Sequence, residues 1–210
     1  MRKSESVSIM QNRNTLWIDG VGGYAIYDQP EVVFGGRGSG PESIEISSDL
    51  PRQAFGIRYV GEDYLIQPLA ASTVEVNGRL LREASVLIHG DEIRIGGSVA
   101  LAFAKPSPLS DTAVLRLTSR HRWHESIDGV VLFRRLCVLG PSAGAHVNCK
   151  YWNTNLTLYR QENVWRYRLQ SNNASDRSSD QSSGASAKSQ SLPIAMNERV
   201  QGDNFSITLT

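Results

Sequence analysis

Short runs of alternating apolar and polar or small residues, nearly all closed by a glycine turn, dominate this chain. Ile93 and Ile95 alternate with Glu92 and Arg94, and Val99, Leu101 and Phe103 alternate with Ser98, Ala100 and Ala102. Ala113, Leu115 and Leu117 alternate in the same way with Val114, Arg116 and Thr118. A period of two sends successive side chains to opposite faces of a strand, one face apolar and the other mostly polar or small. The pairs Asp19-Gly20, Gly22-Gly23, Asn77-Gly78, His89-Gly90, Gly96-Gly97 and Asp128-Gly129 separate the runs. Glycine there supplies the positive φ that tight hairpins need. No window of a dozen residues carries a 3.6-residue period, so little helix is expected. Short strands with turns at intervals of about 8–12 residues predict an all-β sandwich.

The same strand order can be traced twice. Gly23-Tyr24-Ala25-Ile26-Tyr27 through Val32-Val33-Phe34-Gly35 is echoed by Gly129-Val130-Val131-Leu132-Phe133 through Cys137-Val138-Leu139-Gly140, an offset of 129 − 23 = 106. Tyr59 followed by Gly61-Glu62-Asp63-Tyr64-Leu65 has its echo in Tyr159 followed by Gln161-Glu162-Asn163-Val164-Trp165. Gly96, Val99, Leu101 and Phe103 fall on Gly202, Phe205, Ile207 and Leu209, with 202 − 96 again 106. Ile93 and Ile95 fall on Arg199 and Gln201, which requires a bulge to restore the apolar face. The reading is two tandem sandwiches, residues 13–106 and 107–210, after a flexible N-terminus of residues 1–12. Lys105-Pro106-Ser107-Pro108 marks the junction, because two prolines break the strand run. From Ser171 to Ser191 the chain is mainly Ser, Asn, Asp, Gln and Ala without an aromatic residue, a composition that predicts a disordered loop.

Composition excludes several classes. The 210 residues carry 22 Lys+Arg against 21 Asp+Glu, a net charge of +1, so no broad field points to nucleic acid or a membrane. No apolar run is long enough to span a bilayer and no secretory signal is visible, which predicts a cytoplasmic chain. Two cysteines, Cys137 and Cys149, do not make a disulfide framework and read as small core residues.

The segments between Val33 and Leu101 resemble a forkhead-associated (FHA) domain. The resemblance rests on Gly35-Gly36-Arg37, Asp49-Leu50-Pro51-Arg52-Gln53-Ala54-Phe55, Asn77-Gly78 and Gly90-Asp91-Glu92-Ile93. It implies an antiparallel β-sandwich of the SMAD/FHA type whose loops hold a phosphothreonine through a glycine-arginine pair, a Ser-x-x-His segment and an asparagine-glycine turn. The opening Leu16-Trp17-Ile18-Asp19-Gly20-Val21-Gly22-Gly23-Tyr24 resembles bacterial tandem FHA-like sequences. Phosphate binding needs charge-assisted donors converging from several loops, with arginine as the preferred anchor. Either Gly36 occupies the arginine position, or Gly36-Arg37 is the pair displaced by one residue. Pro51 stands where the family's serine contacts phosphate, and proline has neither hydroxyl nor N–H to donate. Ala54 stands where the bracing histidine is expected. Each lost charge-assisted bond costs roughly 1.5–3 kcal/mol.

The donors that remain in the first copy are Arg37, Arg52 and Asn77, with Ser39 or Ser48 as a further candidate, while Gly35, Gly78 and Gly90 read as structural turns. In the second copy Pro141 follows Gly140, no Asn-Gly turn is found, and His146 reads as a strand-start histidine making an ordinary hydrogen bond. His121-Arg122-Trp123-His124 reads as an exposed loop or strand end, since i and i+3 on a strand face opposite ways and no acidic or thiol cluster accompanies them. Trp165 and Tyr167 read as core, with Arg166 and Arg168 on the solvent face. No metal site, cofactor motif or catalytic constellation is read from these residues. The expected function is therefore a non-catalytic protein-interaction module with a protein or peptide partner. Phosphate-independent binding or assembly is the preferred form, and recognition of a phosphothreonine peptide by the first copy is the alternative. The position of Arg37 discriminates between them: a cleft shared with Arg52 and Asn77 favours phosphate reading, and a place on the outer wall disfavours it.

Overall fold

The computed structural model describes residues 13–40, 43–107, 110–171 and 190–210, and these form an all-β molecule of three sheets. The strands of the first half are β1 (Asn14–Ile18), β2 (Gly22–Tyr27), β3 (Glu31–Gly35), β4 (Ser43–Glu45), β5 (Phe55–Val60), β6 (Asp63–Pro68), β7 (Val74–Val76), β8 (Arg79–Leu80), β9 (Ser85–Leu87), β10 (Glu92–Ile95) and β11 (Val99–Ala104). Those of the second half are β12 (Ala113–Leu117), β13 (Gly129–Leu132), β14 (Leu136–Gly140), β15 (Val147–Asn148), β16 (Thr154–Gln161), β17 (Val164–Ser171), β18 (Ser191–Pro193), β19 (Arg199–Gln201) and β20 (Ser206–Leu209). The expected flexible segment 1–12 and residues 172–189 of the expected Ser-rich loop lie outside the described residues. The loop's outer ends do not: Ser171 closes β17 and Ser191 opens β18.

Two five-stranded sheets have the same construction. Their orders are β4-β3-β5-β6-β9 and β15-β14-β16-β17-β18. In each, the short strand at one edge runs parallel to its neighbour and every other pair is antiparallel. Counted from the parallel edge strand, the two sheets thus share one pattern of strand order and direction.

The third sheet has ten strands in the order β19-β20-β1-β2-β13-β12-β11-β10-β7-β8 and takes strands from both halves. The β1–β2 hairpin lies beside β20, with Leu16 opposite Leu209 and Ile18 opposite Ile207. The β12 strand pairs instead with β11, placing Leu115 opposite Phe103, and β13 follows it. At the centre β2 and β13 run parallel, from Tyr24 beside Gly129 to Tyr27 beside Leu132. Each sequence half therefore contributes its first two strands to the sandwich built mainly by the other half. The expected boundary at 106 falls between β11 and β12, which pair across it, and does not separate two self-contained sandwiches.

This arrangement explains a burial pattern that alternation does not predict. One core contains Ala25, Tyr27, Ala113, Leu115, Val130 and Leu132 together with Phe34, Phe55, Ile93 and Leu101. The other contains Leu16, Ile18, Tyr24, Ile26, Val114, Val131 and Phe133 together with Cys137, Leu156, Trp165 and Ile207. Strands β2, β12 and β13 are covered on both faces because a five-stranded sheet packs on each side of them. Val114, expected on a polar face, is fully buried. Such strands read as near-continuous apolar runs rather than alternating ones. Arg134 fastens the crossing: its guanidinium donates to the carbonyls of Asp28 (3.0 Å) and Gln29 (2.7 Å) and lies 4.7 Å from the Tyr59 ring centroid.

The register problem in the last hairpin also has a local cause. Residues 96–98 join β10 to β11, whereas residues 202–205 join β19 to β20. The additional turn residue moves the inward position by one. Val200, opposite Ile207, takes the place that Ile93 holds opposite Leu101.

Candidate functional site

The loops at one end of the first sandwich are drawn together by main-chain bonds. Phe34 stacks on Phe55, with ring centroids 4.6 Å apart, and the chain leaves β3 through Gly35 and Gly36 against residues 50–52. A methyl group on Gly35 would overlap the Arg52 carbonyl, and one on Gly36 would overlap the Leu50 carbonyl. The Gly36 N–H donates to the Pro51 carbonyl at 2.9 Å, and the Ala54 N–H donates to the Phe34 carbonyl at 2.8 Å. Gly35 is thus required by close approach of two backbones and not by a turn, unlike Gly78 and Gly90, whose φ values are +77° and +94°. The Gly96 N–H donates to the Thr73 carbonyl at 2.9 Å, tying the β10–β11 turn to the β6–β7 loop.

Between these loops lies an open cleft of ≈ 460 Å³. Arg37 enters it from the β3–β4 loop, Ser47, Ser48, Asp49, Leu50 and Pro51 from the segment after β4, and Ala71, Ser72 and Thr73 from the β6–β7 loop. Gly96 and Ser98 close the far side, and His121 arrives from the loop between β12 and β13. No partner for the Arg37 guanidinium is found among the described residues. The Ser72 hydroxyl is buried and unpartnered. One arginine, several hydroxyls and one histidine facing one carboxylate make a lining suited to an anionic group on a polar ligand.

The other expected donors lie elsewhere. Asn77 stands in the β7–β8 turn at φ +52°, where its side-chain N–H donates to Asp91 Oδ1 at 2.8 Å and its carbonyl accepts the Glu92 N–H at 3.0 Å. It is outside the cleft, and its amide is already occupied. Ser39 donates its hydroxyl to the Gly36 carbonyl and holds the β3–β4 loop closed. Arg52 is exposed and crosses Gly38, its Nε 3.6 Å from the position of a Cβ there, but it does not line the cleft. Ala54 is fully buried in the first core beneath the loops. Ser48 lines the cleft while donating to the Ile46 carbonyl at 3.2 Å.

Sequence reasoning missed Ser47, Ser72, Thr73, Ser98 and His121. The first four are isolated small polar residues in loops, with no spacing that marks them. His121 belongs to a loop 84 residues along the chain from Arg37 (121 − 37 = 84), and only the strand exchange brings it near.

The buried histidine and both thiols sit in the second core, away from the cleft. His146 is buried, its Nδ1 accepts the Val138 N–H at 2.9 Å, and burial pushes its pKa down to about 4. Cys137 and Cys149 are free thiols at full burial, each pushed up to about 12 by loss of solvation. Trp165 is buried against Phe133 and Tyr167 packs beside the same core, while Arg168 is exposed.

No protein-family model and no curated protein matches the sequence. Among solved structures the chain is similar to the Rv0020c FHA structure, at 24% identity over 40% of this chain and 84% of that one, with a TM-score of 0.30. It is also similar to the N-terminal FHA domain from EssC, a component of the bacterial type VII secretion apparatus, at 17% identity and a TM-score of 0.32. That match covers 54% of this chain and 53% of the other, about half its length.

Proposed function

We propose that the chain is a non-catalytic protein-interaction module whose recognition surface is the Arg37 cleft, and that the cleft takes a phosphothreonine-bearing peptide. The observation that carries this reading is the entry of Arg37, unpartnered among the described residues, into a cleft with Ser47, Ser48, Ser72, Thr73 and Ser98. The guanidinium fork suits phosphate oxygens, and the hydroxyls supply short-range donors in place of the serine and histidine absent at Pro51 and Ala54. Asn77 and Ser39 serve the scaffold instead. On this reading the chain is two copies of one sandwich that have exchanged their first two strands, the second acting as support and partner surface. A cytoplasmic setting agrees with two buried free thiols. No described helix is long and apolar enough to cross a membrane.

The test compares a phosphothreonine peptide library with its unphosphorylated counterpart on the wild type and on Arg37→Ala. Retention of the phosphorylated pool should exceed that of the unphosphorylated pool and fall at least tenfold in the variant. Equal retention of both pools by the wild type refutes phosphate reading and leaves phosphate-independent binding. Phosphate-selective binding that survives in Arg37→Ala places the site elsewhere.

A further inference from the structure

We propose that the outer face of the β15-β14-β16-β17-β18 sheet is a second recognition face, which takes an unphosphorylated acidic segment of a partner protein on Arg135, Arg166 and Arg168. This face shares no residue with the Arg37 cleft and does not depend on how that cleft is read.

Strand register puts two of these arginines on the side of the sheet away from the core. Leu156, Leu158 and Trp165 belong to the second core, so the alternate positions Thr157, Tyr159, Arg166 and Arg168 face outward. Thr157 stands opposite Arg168 and Tyr159 opposite Arg166, and Val138 and Leu136 continue the two rows on β14. An open hollow of ≈ 420 Å³ lies on this face, lined by Leu136, Val138, Thr157 and Tyr159 together with Arg135 and Arg168. Among the described residues no carboxylate lines it. The first half treats the same place differently. Gly35 and Gly140 end the matching strands β3 and β14, so Glu31, Arg58 and Leu65 hold the places of Leu136, Tyr159 and Arg166. There an acid faces an arginine and the row is neutral. The excess of positive charge is thus particular to the second half and is not how this fold solvates a sheet face.

The cationic groups are held before a ligand arrives. Arg166 donates from Nε to Ser191 Oγ at 2.7 Å and from Nη2 to the Ser191 carbonyl at 3.3 Å. The Tyr159 hydroxyl also donates to Ser191 Oγ, which ties β16 to β18 across β17. The Arg168 guanidinium carbon lies 6.0 Å from the Tyr159 ring centroid. Arg135 pairs with Asp111 at 3.4 Å, a carboxylate that Lys105 also approaches at 3.6 Å. Arg166 and Arg168 have no ion-pair partner among the described residues. A guanidinium fork accepts a carboxylate through two parallel bonds, and one already oriented loses less freedom in doing so. The apolar lining beside it suits an apolar side chain next to the acid. Nucleic acid fits less well: a single half-buried tyrosine with its hydroxyl bonded gives no platform for successive bases, and the whole chain carries a net charge of only +1.

The experiment uses the full chain and two degenerate unphosphorylated peptide pools, identical except that Asp and Glu in one are Asn and Gln in the other. The wild type should retain the acidic pool about tenfold over the amide pool, and Arg168→Glu should lose that difference. Arg37→Ala should keep it, as should Arg58→Glu on the matching face of the first half. In isotope-labelled wild type the acidic pool should shift amide resonances of β14, β16 and β17, a readout that needs no variant to fold. Equal retention of the two pools, or shifts confined to other strands, overturns the proposal. So does acidic-pool binding that survives in Arg168→Glu and is lost in Arg37→Ala, which assigns it to the cleft. A single-stranded oligonucleotide that shifts those amides when the acidic pool does not makes the partner a nucleic acid, and also overturns it. Phosphothreonine selectivity is read on separate pools, so the reading of the Arg37 cleft stands or falls on its own.

Discussion

The Asn77 side chain and the Asp91 carboxylate are joined at 2.8 Å, and through that bond the β7–β8 turn is fixed to the start of β10. Asp91 is buried and its second oxygen accepts the Ile88 N–H at 2.8 Å, so both halves of the carboxylate are used in holding turns. The Asn-Gly pair is therefore a structural turn. Asn77→Ala should lower stability by about 1–2 kcal/mol through two lost hydrogen bonds and the left-handed backbone. Urea denaturation measures this loss, and phosphopeptide retention at folded conditions should not change. A variant that keeps its stability and loses binding would return Asn77 to the site.

Gly35 should tolerate nothing larger. Its added methyl meets the Arg52 main chain, which cannot swing aside as a side chain can. Gly35→Ala should cost about 3 kcal/mol by overpacking and displace the segment that carries Ser48 to Pro51 into the cleft. Gly40→Ala is the control, since no atom lies within 4 Å of a Cβ at that position and only its φ of +90° opposes the change. Thermal denaturation of the two variants should separate them clearly.

Acid should weaken the second core through His146. Its pKa falls from 6.5 to about 4 on folding because burial disfavours the imidazolium. The unfolded chain then binds the additional proton, so this contribution is fully present above about pH 6.5 and is lost as pH falls toward 4. Its full size is about 3 kcal/mol. Denaturation midpoints of the wild type should decline over that window, and those of His146→Gln should decline less.

The strand exchange predicts which fragments are stable. A fragment of residues 28–134 retains β3 through β13 and most of the first core, including Trp123. A fragment of residues 13–106 lacks Ala113, Leu115, Val130 and Leu132 from that core. The first should melt cooperatively and keep dispersed amide resonances, and the second should be less stable. Equal stability of the two would show that β1 and β2 can take the places of β12 and β13.

Much of the scaffold was legible because it depends on local rules. Alternation placed Ile93, Ile95, Val99, Leu101 and Phe103 in a core, and all five are fully buried. Asp19-Gly20, Asn77-Gly78 and Gly96-Gly97 mark hairpins, whereas Gly22-Gly23 and Gly129 lie inside strands and His89-Gly90 joins strands of two different sheets; the thiols and Trp165 are core residues, as local hydrophobicity predicts. The candidate site was less legible. Arg37 lines the cleft, whereas Asn77, Ser39 and Arg52, which the motif groups with it, do not, because a motif does not say which atoms are already bonded. Their side chains hold or cross the scaffold.

The sequence alone determined an all-β chain with a repeated strand order, because period-two burial and positive-φ turns are set by neighbours a few residues apart. Only the tertiary structure decided which hairpin completes which sheet. Both hairpins, β1–β2 and β12–β13, carry apolar residues on two faces, so either core could accept either pair on hydrophobic grounds. The choice rests on contacts between distant residues such as Leu16 with Leu209 and Phe103 with Leu115, and with it the loop that carries His121 comes to line the same cleft as Arg37.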